Sequence, residues 1–137
     1  MKGVTILDID KIKIIERGSG IKTWPLIVKH AAPNAKFTTG MSIYPKGQGA
    51  PLHWHNCDEQ VTMLAGVGEV EVNGVVTPLK QFDTTYIPAN IPHRFTNTGE
   101  EPMHILWVYS SDRVTRTFAD TGVEVEHLSA ADLMGTG

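Results

Sequence analysis

From residue 37 onward, apolar and polar residues alternate in short runs separated by Gly, Pro and Asn. A period of two is the mark of a strand with one buried and one wet face. The pattern predicts strands near residues 38–44, 52–55, 60–64, 69–72, 75–79, 84–87, 93–96, 103–109 and 115–119. So many short strands with regular turn signals predict a sandwich or barrel. The strongest local signal is GEVEV-NG-VVTPL. Asn73-Gly74 suits a two-residue type I′ turn, which needs positive φ at both positions, and beside it Val70 and Val72 alternate with Glu69 and Glu71. Pro45, Pro51, Pro88, Pro92 and Pro102 fall at the ends of runs, where a missing N–H does no harm. Helix signal is confined to the end of the chain, where Ser129 caps a short turn through Ala130-Ala131-Asp132-Leu133-Met134, stopped by Gly135.

Residues 1–36 hold three apolar pieces, 4–7, 12–15 and 24–28, each too short to fold alone. They are expected to form an arm that adds strands to the barrel edge or crosses to a second subunit. Residues 37–120 form the barrel and 121–137 a tail. Charge sharpens this division. Residues 1–46 carry eight Lys or Arg against three Asp or Glu, near +5, and the remainder is near −8, for a net −3. A basic arm lying on an acidic sheet, its own or a partner's, predicts a homodimer. The basic residues are scattered with few aromatics among them, which argues against nucleic acid.

Length and composition fit one ordinary domain: 137 residues, 41% hydrophobic and 20% charged. No run approaches the roughly 20 apolar residues of a membrane span, and MKGVTILDIDKIK lacks the pattern of a signal peptide. Cys57 is the single cysteine, so an internal disulfide is excluded and a reducing cytoplasm is the expected compartment.

Candidate chemistry is concentrated in GQGAPLHWHNCDEQVTMLAG, from Gly47 to Gly66. Two histidines separated by one residue share a strand face, so His53 and His55 point the same way while Trp54 points opposite. Glu59 returns to that face after a turn. A second stretch, Pro88-Ala-Asn-Ile-Pro-His93 with Asn97 beyond, supplies a fourth group, and Arg94 points away from His93. Three imidazoles and a carboxylate make a nitrogen and oxygen site suited to one divalent transition metal such as iron, zinc, nickel, manganese, cobalt or copper. Cys57 lies in the turn and reads as a small packed residue.

These spacings resemble the two motifs of the cupin superfamily. The first is Gly, five residues, His-x-His, three or four residues, Glu, six residues, Gly; Gly47, His53, His55, Glu59 and Gly66 fit it throughout. Gln60 would take the place of Glu59 under the longer gap, but only Glu59 satisfies the gaps on both sides. In the second motif Pro88, His93 and Asn97 fit. Asn90 stands for one glycine, a mild change because Asn tolerates left-handed angles, and Phe82 stands for another. The resemblance, over residues 38–118, implies an all-β fold, a double-stranded β-helix or jelly-roll barrel with N-terminal edge strands.

It also implies a metal-dependent enzyme acting on a small oxygenated molecule: a dioxygenase, isomerase, cyclase, lyase or decarboxylase. The alternative is a non-catalytic module that binds a metal or a sugar-like ligand. Glu59 is then both ligand and base, swinging between metal and solvent. Tyr86 is a candidate donor near the site, and His104, in the run MHILWVY, a candidate proton carrier. Met41, Ile43, Met63, Tyr86, Phe95, Leu106 and Trp107 are candidate walls of the pocket. His30 and His127 have no partner motif.

Overall fold

A computed structural model describes residues 2–134. Twelve strands and one helix follow in chain order: β1 (Ile15–Glu16), β2 (Lys22–Pro25), β3 (Thr38–Tyr44), β4 (His53–His55), β5 (Glu59–Ala65), β6 (Gly68–Val72), β7 (Val75–Leu79), β8 (Thr84–Ile87), β9 (His93–Asn97), β10 (Met103–Tyr109), β11 (Thr115–Phe118), β12 (Glu124–Glu126) and α1 (Ala130–Met134). They form two six-stranded antiparallel sheets, ordered β1-β2-β3-β10-β5-β8 and β12-β11-β4-β9-β6-β7. This is a jelly-roll barrel of two facing antiparallel sheets. Among the described residues no helix is long and apolar enough to cross a membrane.

Alternation decides what lies between the sheets. On β10 the odd-numbered residues Met103, Ile105, Trp107 and Tyr109 are buried and the even ones only half-buried. On β5 Glu59, Val61 and Met63 are buried, and on β3 Thr38, Gly40, Ser42 and Tyr44. Gly40 is required by close approach: a Cβ there would lie 2.2 Å from the Trp107 ring. Trp107 is held in turn by donating its indole N–H to Ser42 Oγ at 3.0 Å, and Ser42 bonds Thr23 at 2.8 Å. Apolar residues fill much of the interior, with Met63, Met103, Val61 and Ile105 among the most buried. The polar residues gather elsewhere in it, and they form the site.

The turns follow their residues. Asn73 and Gly74 have φ of +52° and +77°, as a type I′ hairpin requires. Asn90 and Phe82 both sit at left-handed angles, φ +68° and +69°. Phe82 is thus a bulky side chain in a conformation that favours glycine, a strained position for an aromatic residue. The C-terminal helix begins with Asp132 N–H donating to Ser129 Oγ (3.4 Å), and Gly135 lies outside the described residues.

The N-terminal apolar pieces depart from simple strands. Only Ile15–Glu16 and Lys22–Pro25 pair, extending one sheet beyond β3. Val4, Ile6, Leu7, Ile9 and Ile14 remain exposed. Two of them, Ile9 and Ile14, border with Ile12, Trp24, Met41 and Ile43 an outer cleft of about 410 Å³. β12 escapes the sequence pattern because Glu124–Glu126 has one apolar residue, yet it pairs with β11.

Candidate metal centre

Strand register brings the polar groups together. His53 lies opposite His93 across β4 and β9, Glu59 opposite Tyr109 across β5 and β10, and His55 opposite Arg116 across β4 and β11. One ligand atom each of His53, His55 and His93 lies within 4.8 Å of the others. All three rings, and Glu59, are buried.

Each ring is anchored by its outer nitrogen. Nδ1 of His53 faces Pro51 O at 2.6 Å, that of His55 faces Thr115 O at 3.0 Å, and that of His93 faces Ile91 O at 2.8 Å. A carbonyl only accepts, so Nδ1 carries the proton and donates. In the neutral ring Nε2 is then left as a lone pair directed inward, the arrangement that second-shell carbonyls impose on metal-binding histidines. Burial, Arg116 and the other two histidines hold His53 well below its ordinary pKa. Burial lowers His55 to about 4 despite the opposing pull of Glu59.

The carboxylate completes the set. Glu59 Oε1 is 2.9 Å from His93 Nε2, and Oε2 is 3.6 Å from His55 Nε2. Glu59 Oε1 and His93 Nε2 are both buried and neither makes a well-directed hydrogen bond. Two acceptor atoms this close repel unless a proton or a cation lies between them. Burial pushes the Glu59 carboxyl up, but its contacts with His93, His55 and Tyr109 outweigh this and keep it below the usual value. The donor set and its orphaned atoms therefore fit a divalent ion.

Other groups at the site carry no motif. Tyr109 donates its hydroxyl to His55 Nε2 at 3.3 Å, and burial together with Glu59 keeps the phenol protonated well above its ordinary range. His127 packs edge-on against Trp107 and near-perpendicular to Tyr109, ring centroids 5.0 Å apart in both cases. Arg17 and Arg116, both buried, share Asp132: Arg17 Nη2 is 3.1 Å from Oδ2, and Arg116 Nε is 3.3 Å from Oδ1. Burial alone would lower the Arg116 pKa, but Asp132, Tyr109, Tyr44 and Glu59 more than offset it and keep the guanidinium charged. A cavity of about 20 Å³ lies among Arg17, His53, Glu59, Trp107, Tyr109, Arg116 and His127. That is room for about one water molecule.

Several expectations need correction. Tyr86 is 66% exposed and its hydroxyl donates to Asp58 Oδ2 at 2.7 Å; it pairs with Gln60, also exposed, so both point away from the interior. His104 is even-numbered on β10 and faces the outer cleft rather than the histidines. Met41 and Ile43 border that same cleft, and Leu106 shares the parity of His104, whereas Met63, Phe95 and Trp107 face inward. Glu59 is 5% exposed, so its movement is not toward bulk solvent; Tyr109 is the group beside it. Cys57 is buried, and burial and Glu59 raise its thiol to about 11. Asn97 serves structure: Nδ2 donates to Tyr44 O and Glu101 O, both at 2.9 Å, and Oδ1 accepts from Gly99 N–H.

A pH dependence follows from the lowered histidines. Below pH 6.5 the unfolded chain takes up protons that folded His55 refuses until about pH 4. Its contribution to stability is whole above pH 6.5 and lost progressively as pH falls to 4, about 3 kcal/mol by linkage. The melting temperature of chelator-treated protein, followed by circular dichroism, is expected to fall steadily across that interval. A flat profile there would contradict neutral, buried imidazoles.

The barrel and its buried cluster of His53, His55 and His93 define a class of small β-barrel with a candidate metal site in its interior. The profile of the cupin domain family matches residues 40–109; the chain belongs to the cupin superfamily. It is 33% identical over 100 residues to the uncharacterized protein MJ1618 of Methanocaldococcus jannaschii, covering 71% of this chain and 78% of that one. A sugar phosphate isomerase of the superfamily from Silicibacter pomeroyi superposes with a TM-score of 0.68 at 19% identity, over 96% of this chain and 99% of the other. The oxalate decarboxylase of Lactobacillus farciminis, in a formate complex, superposes at 0.71 with 23% identity, over 81% of this chain but 34% of its own. At these identities the structural likenesses establish the fold.

Proposed function

We propose that this protein is a metal-dependent enzyme acting on a small oxygenated organic substrate, with His53, His55, Glu59 and His93 as ligands of one divalent transition metal. The observation that carries this reading is the anchoring of all three Nδ1 atoms by backbone carbonyls, which leaves three Nε2 lone pairs and a carboxylate converging in a buried space. When bound, such an ion supplies Lewis acidity, or oxygen chemistry if it is redox-active. The protein's own groups position the substrate, exclude water and hold a proton at Glu59 or Tyr109. The test is elemental analysis of protein from its native host, followed by oxygen uptake and product analysis with diketones, catechols, keto acids and uronates. One equivalent of metal with turnover of one substrate class is expected; metal-free active protein would defeat the assignment.

The small inner cavity favours a second reading, a module that sequesters a metal or small ligand without turnover. Full metal occupancy with no conversion across that panel would select it.

We further propose a cytoplasmic homodimer formed through the N-terminal arm. Its support is the row of exposed apolar residues from Val4 to Ile14 beside the outer cleft, together with the excess positive charge of that third. Covering such a surface is the usual work of an isologous interface. Sedimentation is expected to find a dimer at micromolar concentration, and removal of residues 1–12 a monomer or an aggregate. A monomeric intact chain would end the idea.

A further inference from the structure

We infer that Arg116 is the anchor for a substrate carboxylate beside the metal centre, so that the substrate is a small organic acid; this rests on the metal reading above. Three observations converge on it.

The first is placement. Arg116 is 4% exposed, lies opposite His55 across β4 and β11, and lines the same inner cavity as His53 and Glu59. The second is a guanidinium with unused donors. Asp132 Oδ1 lies 3.3 Å from Nε as an ion pair, but neither Nε nor Nη1, both buried, makes a well-directed hydrogen bond. A buried charged donor left unpaired is costly, and a carboxylate is the planar partner that matches a guanidinium edge.

The third is charge balance. Among the described residues, Arg17, Arg116 and Glu59 line the cavity and Asp132 pairs with both arginines, and the formal charges of these four buried groups cancel. A divalent ion at the histidines would leave a net +2 inside the barrel. A low-dielectric interior does not hold uncompensated charge, so the ligand that accompanies the metal carries negative charge. A carboxylate meets that requirement as it arrives; a neutral alcohol or water does so only by losing a proton at the metal.

A route to the site is visible. His127 borders both the inner cavity and an outer cleft of about 770 Å³, which is also lined by Lys29, His30 and Arg113. His127 is the residue common to the linings of the two spaces. The segment carrying it is short and partly exposed, and α1 beyond it holds Asp132.

Formate, the smallest carboxylate, is the appropriate probe, since the cavity as it stands has room for about one water molecule and must widen to take even three heavy atoms; formamide is its uncharged counterpart. Binding is read by Trp107 fluorescence and by melting temperature at constant ionic strength, in chelator-treated and in metal-loaded protein. Formate is expected to bind the metal-loaded form at least about tenfold more tightly than formamide, and the metal-free form more weakly because the buried charges there already cancel; Arg116→Met is expected to weaken formate binding about tenfold or more. Arg17 and Asp132 remain a neutral pair in that variant, which favours its folding. If it does not fold, Arg116→Lys keeps the charge but loses the paired donors, and the same weakening is expected. Independently, the Arg116 Nε–H resonance of the wild-type protein should shift on adding formate.

Equal binding of formate and formamide, formate binding unaffected by either variant, or an unmoved Arg116 resonance would overturn the inference. Formate binding that needs metal but ignores Arg116 would overturn it and leave the metal centre standing. Arg116-dependent binding in a protein that never takes up metal would do the reverse.

Discussion

Replacing His55 with alanine is expected to reduce bound metal from about one equivalent to below about 0.1, because the affinity of such a site resides in its deprotonated ligands acting together. His55 is central by geometry. Its Nδ1 is fixed by Thr115 O, its Nε2 lies 3.6 Å from Glu59, and Tyr109 donates to that same Nε2. Removing the ring leaves a buried carboxylate and two imidazoles with no third nitrogen. The proper comparison is His104→Ala, which removes an imidazole from the outer face and should keep full metal. Both variants are to be measured by elemental analysis after identical purification. Full occupancy in His55→Ala would remove it from the ligand set.

Glu59→Gln is expected to keep most of the metal, since an amide oxygen still coordinates, while turnover falls roughly 100-fold or more, the usual scale for a positioned base. The burial of Glu59 makes this sharper than a solvent-facing carboxylate would. A proton accepted there cannot leak to bulk water, and Tyr109, opposite Glu59 in the sheet, is placed to return one. Replacing His93 with glutamine should instead lose metal and activity together. Turnover near wild type in Glu59→Gln would make Glu59 a ligand alone.

Much of the barrel was legible because period-two alternation and turn residues are local signals. The spans of β3, β7, β8 and β10 match the pattern to the residue. The histidine pair was legible for the same reason: one strand, one face. What alternation does not give is phase when both parities are apolar. In MHILWVY either set could face inward, and the packing of Trp107 against Gly40 and Ser42 decides it. His104 consequently faces out and Tyr109 in. Tyr86 was misplaced likewise, since TTYI offers too few contrasts to choose a face. Arg17, Arg116, His127 and Asp132 left no local trace. Four separate chain positions meet only after both sheets have closed, and no spacing rule links residue 17 to residue 132.

That last contact has a temporal consequence. Arg17 and Asp132 are 115 residues apart along the chain, so the guanidinium emerges in synthesis well before its partner. Until Asp132 has been made, Arg17 and Arg116 are two cations with no shared counter-charge, and withdrawing both from water would be unfavourable. The strands that enclose them are expected to close fully only once Asp132 is present. An order of events is built into the chain: the hairpin at Asn73-Gly74 and its neighbours can form early, while closure of the centre waits for the segment that carries Asp132. Contacts this distant in sequence also place the barrel among slow-folding topologies.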